Sequence, residues 1–121
     1  MFLELTHTKL DIFKASKSFT LECYKISKLL PQEERFAMAQ QIRRAALSVH
    51  LNIPEGCSRK STAERKRFYE IARGSLIEVD TALDIAFNLN YFSKEVLMQL
   101  GEYIIHTFKQ LTGMIGSNDK T

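Results

Sequence analysis

The sequence predicts an all-α protein, an up-and-down bundle of four helices. Apolar residues recur at alternating spacings of three and four along most of the 121 residues, which is the period of a helix with one buried face. Only five glycines and two prolines interrupt the chain, and no stretch shows the alternation typical of strands joined by hairpin turns. We expect a single domain over residues 1–121, because a chain of this length buries a core without disulfides or metal.

The first helix is predicted over residues 9–30. Thr8 and Asp11 stand at the spacing of a capping box, with Asp in place of Glu. Pro31 ends this helix because proline disfavours helical geometry in the residue before it, and it suits the first turn of the helix that follows. The apolar stripe consists of Ile12, Ala15, Phe19, Cys23, Ile26 and Leu30.

The second helix is predicted over residues 32–56, with Pro54 near its end. Proline has no amide hydrogen and clashes with the carbonyl of His50, a cost of about 3 kcal/mol in a regular helix. We therefore expect a kink or an early end between Leu51 and Gly56, with Gly56 as a left-handed stop. The apolar seam consists of Ala39, Ile42, Ala46, Val49 and Ile53.

The third and fourth helices are predicted over residues 62–90 and 94–115. Ser61 and Glu64 form a capping box before the third helix, and Ser93 is a suitable N-cap for the fourth. Ile77 and Ile85 fall outside the apolar face of the third helix, and either a subunit contact or a local tilt of the helix explains them. The third helix carries the most regular heptad, Phe68, Ala72, Ser75, Val79, Ala82, Ala86 and Leu89.

Positive charge is concentrated around the start of the third helix. The chain carries a net charge of +3, whereas residues 59–73 hold six basic and two acidic residues, a local +4. This asymmetry favours a polyanion or an acidic partner, although a solvated helix end is the alternative interpretation. If the second and third helices are antiparallel neighbours, two further arginines join the cluster at one end or edge of the bundle. The predicted nucleic-acid-binding residues are Arg43, Arg44, Arg59, Lys60, Arg65, Lys66, Arg67 and Arg73.

The residue types in this cluster suit phosphate and bases. Guanidinium groups bind phosphates bidentately, and a helix beginning at Ser61 adds amide donors. Phe68 or Tyr69 offers a ring for stacking, with a core position as the alternative for Phe68 because it belongs to the heptad.

No catalytic constellation is recognisable in the sequence. Nucleophile elbows, zinc-protease helices, phosphate-binding loops and dinucleotide fingerprints are missing. Since burying unpaired charge would be costly, we expect Asn52, Glu55, Ser75 and Glu78 to form one buried structural polar network with nearby arginines. A metal-dependent or hydrolytic enzyme is the least favoured class, and no metal or cofactor is predicted.

The cysteines and the apolar segments indicate the compartment. Cys23 and Cys57 lack the spacing of a zinc site or of a disulfide framework. The sequence shows neither a secretory signal nor an apolar run of the length of a membrane span. We expect a cytoplasmic protein with no membrane association.

Three stretches carry a resemblance to a known family: QIRRAALSVHLNIPEG, then SRKS, then FYEIARGSLIEVDTAL. Over residues 10–112 the chain resembles the bacterial four-helix-bundle family of 23S rRNA intervening-sequence proteins, which are distantly akin to accessory proteins of diversity-generating retroelements. It departs from the family pattern at His50, where the family has proline, and at Pro54, where the family has alanine. The matching residues are Gln41, Ile42, Arg43, Arg44, Ala45, Ala46, Ser48, Asn52, Ile53, Glu55, Gly56, Ala72, Gly74, Ser75, Glu78 and Thr81.

The resemblance implies a bundle that assembles into a homopentameric ring with a basic surface, a role in binding RNA or a nucleoprotein, and no enzyme activity. The function predicted from the sequence is a non-enzymatic, oligomeric module that binds nucleic acid, with RNA preferred over DNA because of the family context. The alternative is an interaction adaptor or scaffold for a nucleoprotein or an acidic partner.

Overall fold

The computed structural model describes residues 1–119, and the four predicted helices are all present. They are α1 (Asp11–Ser27), α2 (Met38–Cys57), α3 (Thr62–Asn88) and α4 (Lys94–Asp119). Two short 3-10 helices, Thr6–Lys9 and Gln32–Glu34, precede α1 and α2. The helices pack in ring order, α1 on α2, α2 on α3, α3 on α4 and α4 on α1. This arrangement confirms the predicted four-helix bundle, and within residues 1–119 no helix is long and apolar enough to cross a membrane.

The core consists of the apolar stripes of the four helices. In α3 the buried face differs from the predicted heptad. Tyr69, outside that heptad, is only 4% exposed, whereas the heptad members Phe68 and Leu89 are partly exposed and half exposed. A buried hydroxyl is also satisfied, since Thr20 Oγ1 donates to the carbonyls of Ser16 at 2.8 Å and Ala46 at 3.2 Å. The largest fully buried side chains include Phe19, Ile26, Ile42, Val49, Ile53, Leu76, Val79, Leu100 and Leu111.

The predicted start of the second helix at residue 32 is wrong. The chain makes a 3-10 turn over Gln32–Glu34, Ala37 has non-helical backbone angles (φ −119°, ψ −97°), and α2 begins at Met38. The reason is tertiary: the Tyr91 hydroxyl donates to Glu34 Oε2 at 2.9 Å. The other carboxylate oxygen accepts the Met38 amide at 3.4 Å. Glu34 therefore holds this segment against the turn after α3 and contacts the first amide of α2.

The capping box predicted at the start of α1 is also wrong. The Thr8 hydroxyl donates to the Leu5 carbonyl at 2.7 Å, and the N-cap of α1 is Leu10, which has no side-chain cap. The helix ends at Ser27, three residues before the predicted end. In contrast, Ser93 Oγ accepts the Val96 amide at 3.3 Å, which confirms the predicted N-cap of α4.

Helix α2 continues through Pro54 and ends at Cys57, one residue after its predicted end. Gly56 is not a left-handed stop, because no glycine in the described chain has a positive φ. Its role is close packing. A Cβ at Gly56 would lie 2.8 Å from Cδ1 of Tyr69 and closer still to Cε1. Only glycine therefore lets the Tyr69 ring pack this closely against α2.

The turn between α3 and α4 is built around Asn90, which has a positive φ of 63°. The amide of Asn90 donates to the Phe87 carbonyl and the amide of Tyr91 donates to the Ala86 carbonyl, each at 2.9 Å. This pair of bonds is the Schellman motif, with asparagine in the left-handed position that glycine usually occupies. It places Tyr91 where its hydroxyl reaches Glu34.

Candidate nucleic-acid interface

Five basic residues surround the turn that joins α2 to α3, and we call them the turn cluster: Arg59, Lys60, Arg65, Lys66 and Arg67. The turn ends at Ser61, whose hydroxyl accepts the Glu64 amide at 3.1 Å and caps α3 as predicted. The cap leaves the amides of the first turn of α3 beside Lys60. Positive charge and amide donors therefore meet at one end of the bundle.

Arg65 fixes the shape of this turn. Its Nη1 donates to the carbonyl of Lys60 at 2.7 Å and to that of Arg59 at 3.2 Å. Its Nε donates to Oδ1 of Asn118 in the last turn of α4, at 3.3 Å. Because its donors are committed to these acceptors, Arg65 positions the other cations of the turn cluster.

The guanidinium groups of Arg59 and Arg67 both lie over the ring of Phe68. The Cζ atom of Arg59 lies 4.8 Å from the centre of the Phe68 ring, and that of Arg67 lies 5.8 Å from it. Both distances are within the range of cation–π attraction. Arg59 Nη2 also contacts Glu55 Oε2 at 2.9 Å, an ion pair one helical turn apart in sequence. Within the described residues, neither Lys60 nor Arg67 has a carboxylate partner, so the turn cluster keeps a net positive charge.

Tyr69 is not available as a stacking ring. It is buried between α2 and α3, and its hydroxyl donates to Sγ of Cys57 at 3.5 Å. Burial raises the pKa of Tyr69 far above its ordinary value, with the Cys57 contact acting in the same direction. Of the two rings considered from the sequence, only Phe68 is presented at the surface.

Arg43 and Arg44 lie at the other end of α2, so their predicted place beside the turn cluster is wrong. At 1.5 Å per residue they stand roughly 20 Å along the axis from the end of the helix. Arg43 Nη1 donates to Ser27 Oγ at 3.1 Å, near the end of α1. The reason is the antiparallel pairing of α2 and α3, in which residues equally far from the turn lie opposite each other.

Arg73 is separate from both groups. Its Nη1 donates to Thr112 Oγ1 at 3.3 Å, and its Cζ lies 6.0 Å from the centre of the Phe108 ring. Both partners belong to α4, so Arg73 spans the outer groove between α3 and α4. The eight cations predicted as one surface therefore occupy three places, and only the turn cluster brings five of them together.

The polar residues between α2 and α3 form a smaller network than predicted. The hydroxyls of Ser48 and Ser75 lie 2.9 Å apart and share a hydrogen bond across the two helices. Asn52 Nδ2 donates to the carbonyl of Ser48 at 2.8 Å and to its hydroxyl at 3.1 Å. Two of the four predicted members, Asn52 and Ser75, are thus joined through Ser48.

The two carboxylates of the predicted network are exposed and lie apart. Glu78 Oε2 accepts a hydrogen bond from Gln41 Nε2 at 3.2 Å, and Glu55 pairs with Arg59. A single buried network of all four residues is therefore wrong. Both carboxylates sit where the seam between the helices opens to solvent, so neither must be buried to be satisfied.

A serine and a histidine also meet between α1 and α2. His50 Nδ1 and Ser16 Oγ share a hydrogen bond at 2.7 Å, and the His50 ring packs on Phe13 at a centroid distance of 4.6 Å. Ser16 is fully buried. Burial lowers the pKa of His50, and the nearby charges of Lys17 and His7 lower it further. The pair is a neutral contact between the helices in which the hydroxyl has no access to a substrate.

No metal-binding constellation is present in residues 1–119, since no three His, Cys, Asp or Glu side chains come close enough to hold an ion. Cys23 and Cys57 are both free thiols. Burial raises the pKa of Cys23 far above its ordinary value, so its thiol stays protonated.

The family model described as 23S rRNA-intervening sequence protein matches residues 8–113. The chain belongs to this family. The match confirms the resemblance carried by the central motifs. A search of curated proteins gave no match.

A solved structure shows the same fold as this family member. It is the crystal structure of a protein with unknown function from the S23 ribosomal protein family of Bacteroides thetaiotaomicron VPI-5482. The two chains are 24% identical, and the alignment covers 86% of this chain and 97% of that one with a TM-score of 0.79. At this identity the likeness is one of fold alone.

The motif of the intervening-sequence family maps onto the seam between α2 and α3. Gln41, Ser48, Asn52, Ser75 and Glu78 all make the hydrogen bonds described above along it. The residue at position 50 also has a structural use. The His50 imidazole bonds across to Ser16 of α1. A proline could not make that bond.

Proposed function

We propose that this member of the 23S rRNA-intervening sequence protein family is a non-enzymatic protein that binds nucleic acid through the turn cluster, with RNA preferred over DNA. The observation that carries the proposal is the exposed pair Lys60 and Arg67, which have no carboxylate partner in the described chain and stand beside the start of α3. The preference for RNA rests on the family's name, which refers to the intervening sequence of 23S rRNA.

The geometry supports phosphate binding at the turn. Lys60 lies in the turn just before the Ser61 cap, Arg67 lies in the second turn of α3, and Arg65 binds the backbone carbonyls of Arg59 and Lys60. A phosphate beside this cap would meet two cations and the amides of the first turn of α3. Glu55 neutralises Arg59 in part, so Arg59 contributes less charge than the other two.

Salt dependence tests this proposal. Binding of a fluorescently labelled RNA and of the matching DNA would be followed by anisotropy over a range of salt concentrations. Contacts with phosphates make the logarithm of affinity fall linearly with the logarithm of salt, with a slope of about −0.7 for each phosphate neutralised on a single strand. Replacing both Lys60 and Arg67 by Ala should therefore reduce the slope by about 1.4.

The matched control is Arg44→Ala, which removes an exposed arginine at the other end of α2. We expect this variant to bind as the unchanged protein does. A flat salt response, or an equal loss of affinity in Arg44→Ala, would contradict a specific role for the turn cluster. Equal affinity for RNA and DNA would contradict the preference for RNA.

We also propose that the chain self-associates into the homopentameric ring implied by the family resemblance, in the cytoplasm. The free thiols support the cytoplasm as the compartment, because it is reducing.

The assembly is supported by exposed apolar residues. Ile77 and Ile85 are each half exposed, and Ile77, Ile105 and Phe108 border an open groove of about 360 Å³ between α3 and α4. Light scattering should give five times the 13.9 kDa of one chain, and Ile77→Glu should lower that mass. A monomer at all concentrations would contradict the assembly.

The second candidate is an adaptor whose turn cluster binds an acidic protein or a nucleoprotein. The same unpaired cations favour it, because carboxylates and phosphates suit guanidinium groups equally well. It predicts that charge reversal at Arg67 abolishes capture of such a partner while binding of naked RNA is weak in every variant. Strong binding of naked RNA would favour the first proposal.

A further inference from the structure

The stacked side chains on Phe68 indicate what form of nucleic acid this protein binds, an inference that rests on the proposed function. Phe68 lies on the second turn of α3, one residue before the buried Tyr69. Within residues 1–119 it is not among the side chains that form or border the buried core. Its ring is covered by arginines instead, at 4.8 Å for Arg59 and 5.8 Å for Arg67.

The two arginines differ in how their donors are used. Arg59 Nη2 pairs with Glu55 Oε2 at 2.9 Å, so part of this guanidinium already has a carboxylate partner. Arg67 is exposed and has no carboxylate partner among the described residues. Its guanidinium is therefore the one that can turn toward a ligand while the other keeps the ring in place.

A planar cation that lies over a partly exposed aromatic ring can bind one kind of nucleic-acid group in particular. An unpaired base can stack on the guanidinium plane or on the ring, while the phosphate that follows it contacts Lys60. In a duplex the base faces are covered by their neighbours, and a protein reaches only phosphates, sugars and groove edges. Stacking therefore increases the affinity for single strands, loops and bulges. Attraction between charges alone does not favour these forms over a duplex in this way.

We infer that Arg59, Phe68 and Arg67 form a stacking site for an unpaired base, so that the protein binds single-stranded RNA segments more tightly than duplex RNA. Lys60 and the start of α3 hold the neighbouring phosphate. Arg65 takes no direct part and keeps the turn in shape through its bonds to the backbone.

Two conservative variants separate stacking from charge. Arg67→Lys keeps the charge and removes the plane, and Phe68→Leu keeps apolar bulk and removes the ring. Affinities for one RNA sequence, alone and fully paired with its complement, would be measured by anisotropy at one low salt concentration. Stacking on one aromatic ring contributes about 1–3 kcal/mol for each base. Each variant should therefore bind the single strand roughly fivefold or more weakly and should lose less affinity for the duplex than for the single strand.

The controls make failure interpretable. Arg44→Lys makes the same chemical change at the other end of α2 and should alter neither affinity, and the salt slope of Arg67→Lys should stay unchanged because no charge is lost. Circular dichroism checks folding, and Arg67→Lys remains decisive if Phe68→Leu does not fold. Equal binding of single strand and duplex, with Arg67→Lys unaffected, would overturn the stacking site and leave the proposed function standing. No binding of any nucleic acid at low salt would overturn both.

Discussion

Replacing Gly56 by Ala should destabilise the protein, although alanine is the better helix former. The added Cβ would lie 2.8 Å from Cδ1 of Tyr69 and closer still to Cε1. Contacts below 3.0 Å require something to shift, and here the obstacle is a buried ring whose hydroxyl is bonded to Cys57. Moving Tyr69 would open the packing of α2 on α3 just before the turn cluster.

The size of the effect follows from two opposed contributions. Overpacking of a core costs about 1–3 kcal/mol, and this short contact with a buried aromatic ring belongs at the upper end. Alanine regains about 1 kcal/mol of helix propensity over glycine. We expect a net loss of about 2 kcal/mol in the free energy of unfolding, which lowers the melting temperature by roughly 8 °C in a domain of this size.

Thermal and urea denaturation followed by circular dichroism would measure this change. Gly74→Ala is the matched control, because a Cβ there meets nothing within 4 Å, and it should raise stability by about 0.5–1 kcal/mol. A double-mutant cycle with Tyr69→Leu should show that the two changes together cost less than their sum. A Gly56→Ala protein that melts at or above the temperature of the unchanged chain would refute the packing argument.

Four further predictions concern His50, Asn90 and Ser61. His50 has a lowered pKa, so the unfolded chain takes up a proton that the folded chain does not as the pH falls through the ordinary value of 6.5. The free energy of unfolding should therefore decrease as the pH falls through about 6.5, and urea denaturation at a series of pH values should show a smaller decrease in His50→Gln. Asn90→Val should lower the free energy of unfolding by about 1–2 kcal/mol, because a β-branched residue adopts a positive φ only at a cost. Asn90→Gly should not lower it. Ser61→Ala should cost about 1 kcal/mol by removing the cap on Glu64. Ser61→Asp should keep the cap but weaken RNA binding, since it adds negative charge beside Lys60; unchanged binding in that variant would count against the site.

The helices could be predicted because their signals are local. The apolar spacing from Ala39 to Ile53 and the caps at Ser61 and Ser93 lie within single segments. The start of α2 could not be predicted in this way. It depends on the bond between Glu34 and Tyr91, which are 57 positions apart in the sequence. The left-handed turn at Asn90 was open to prediction, since asparagine after the end of a helix is a known signal for it.

The candidate site shows the same division between local and tertiary information. The turn cluster is contiguous enough that charge counting finds it. Arg43 was misplaced because grouping it with Arg65 ignores how antiparallel helices pair. The bond between Gln41 and Glu78 shows that the beginning of α2 faces the middle of α3. Which of Phe68 and Tyr69 reaches the surface also depends on Gly56, a contact that neither residue's spacing reveals.

Arg65 links the turn between α2 and α3, which bears the turn cluster, to the last turn of α4. One guanidinium holds two loop carbonyls and the side chain of Asn118, so the geometry of residues 59 and 60 depends partly on the last turn of α4. Shortening the chain before Asn118, or fusing a bulky tag directly after it, would disturb that anchor. Binding measurements on such derivatives would then describe a loosened loop, even though every cation in it had been left intact.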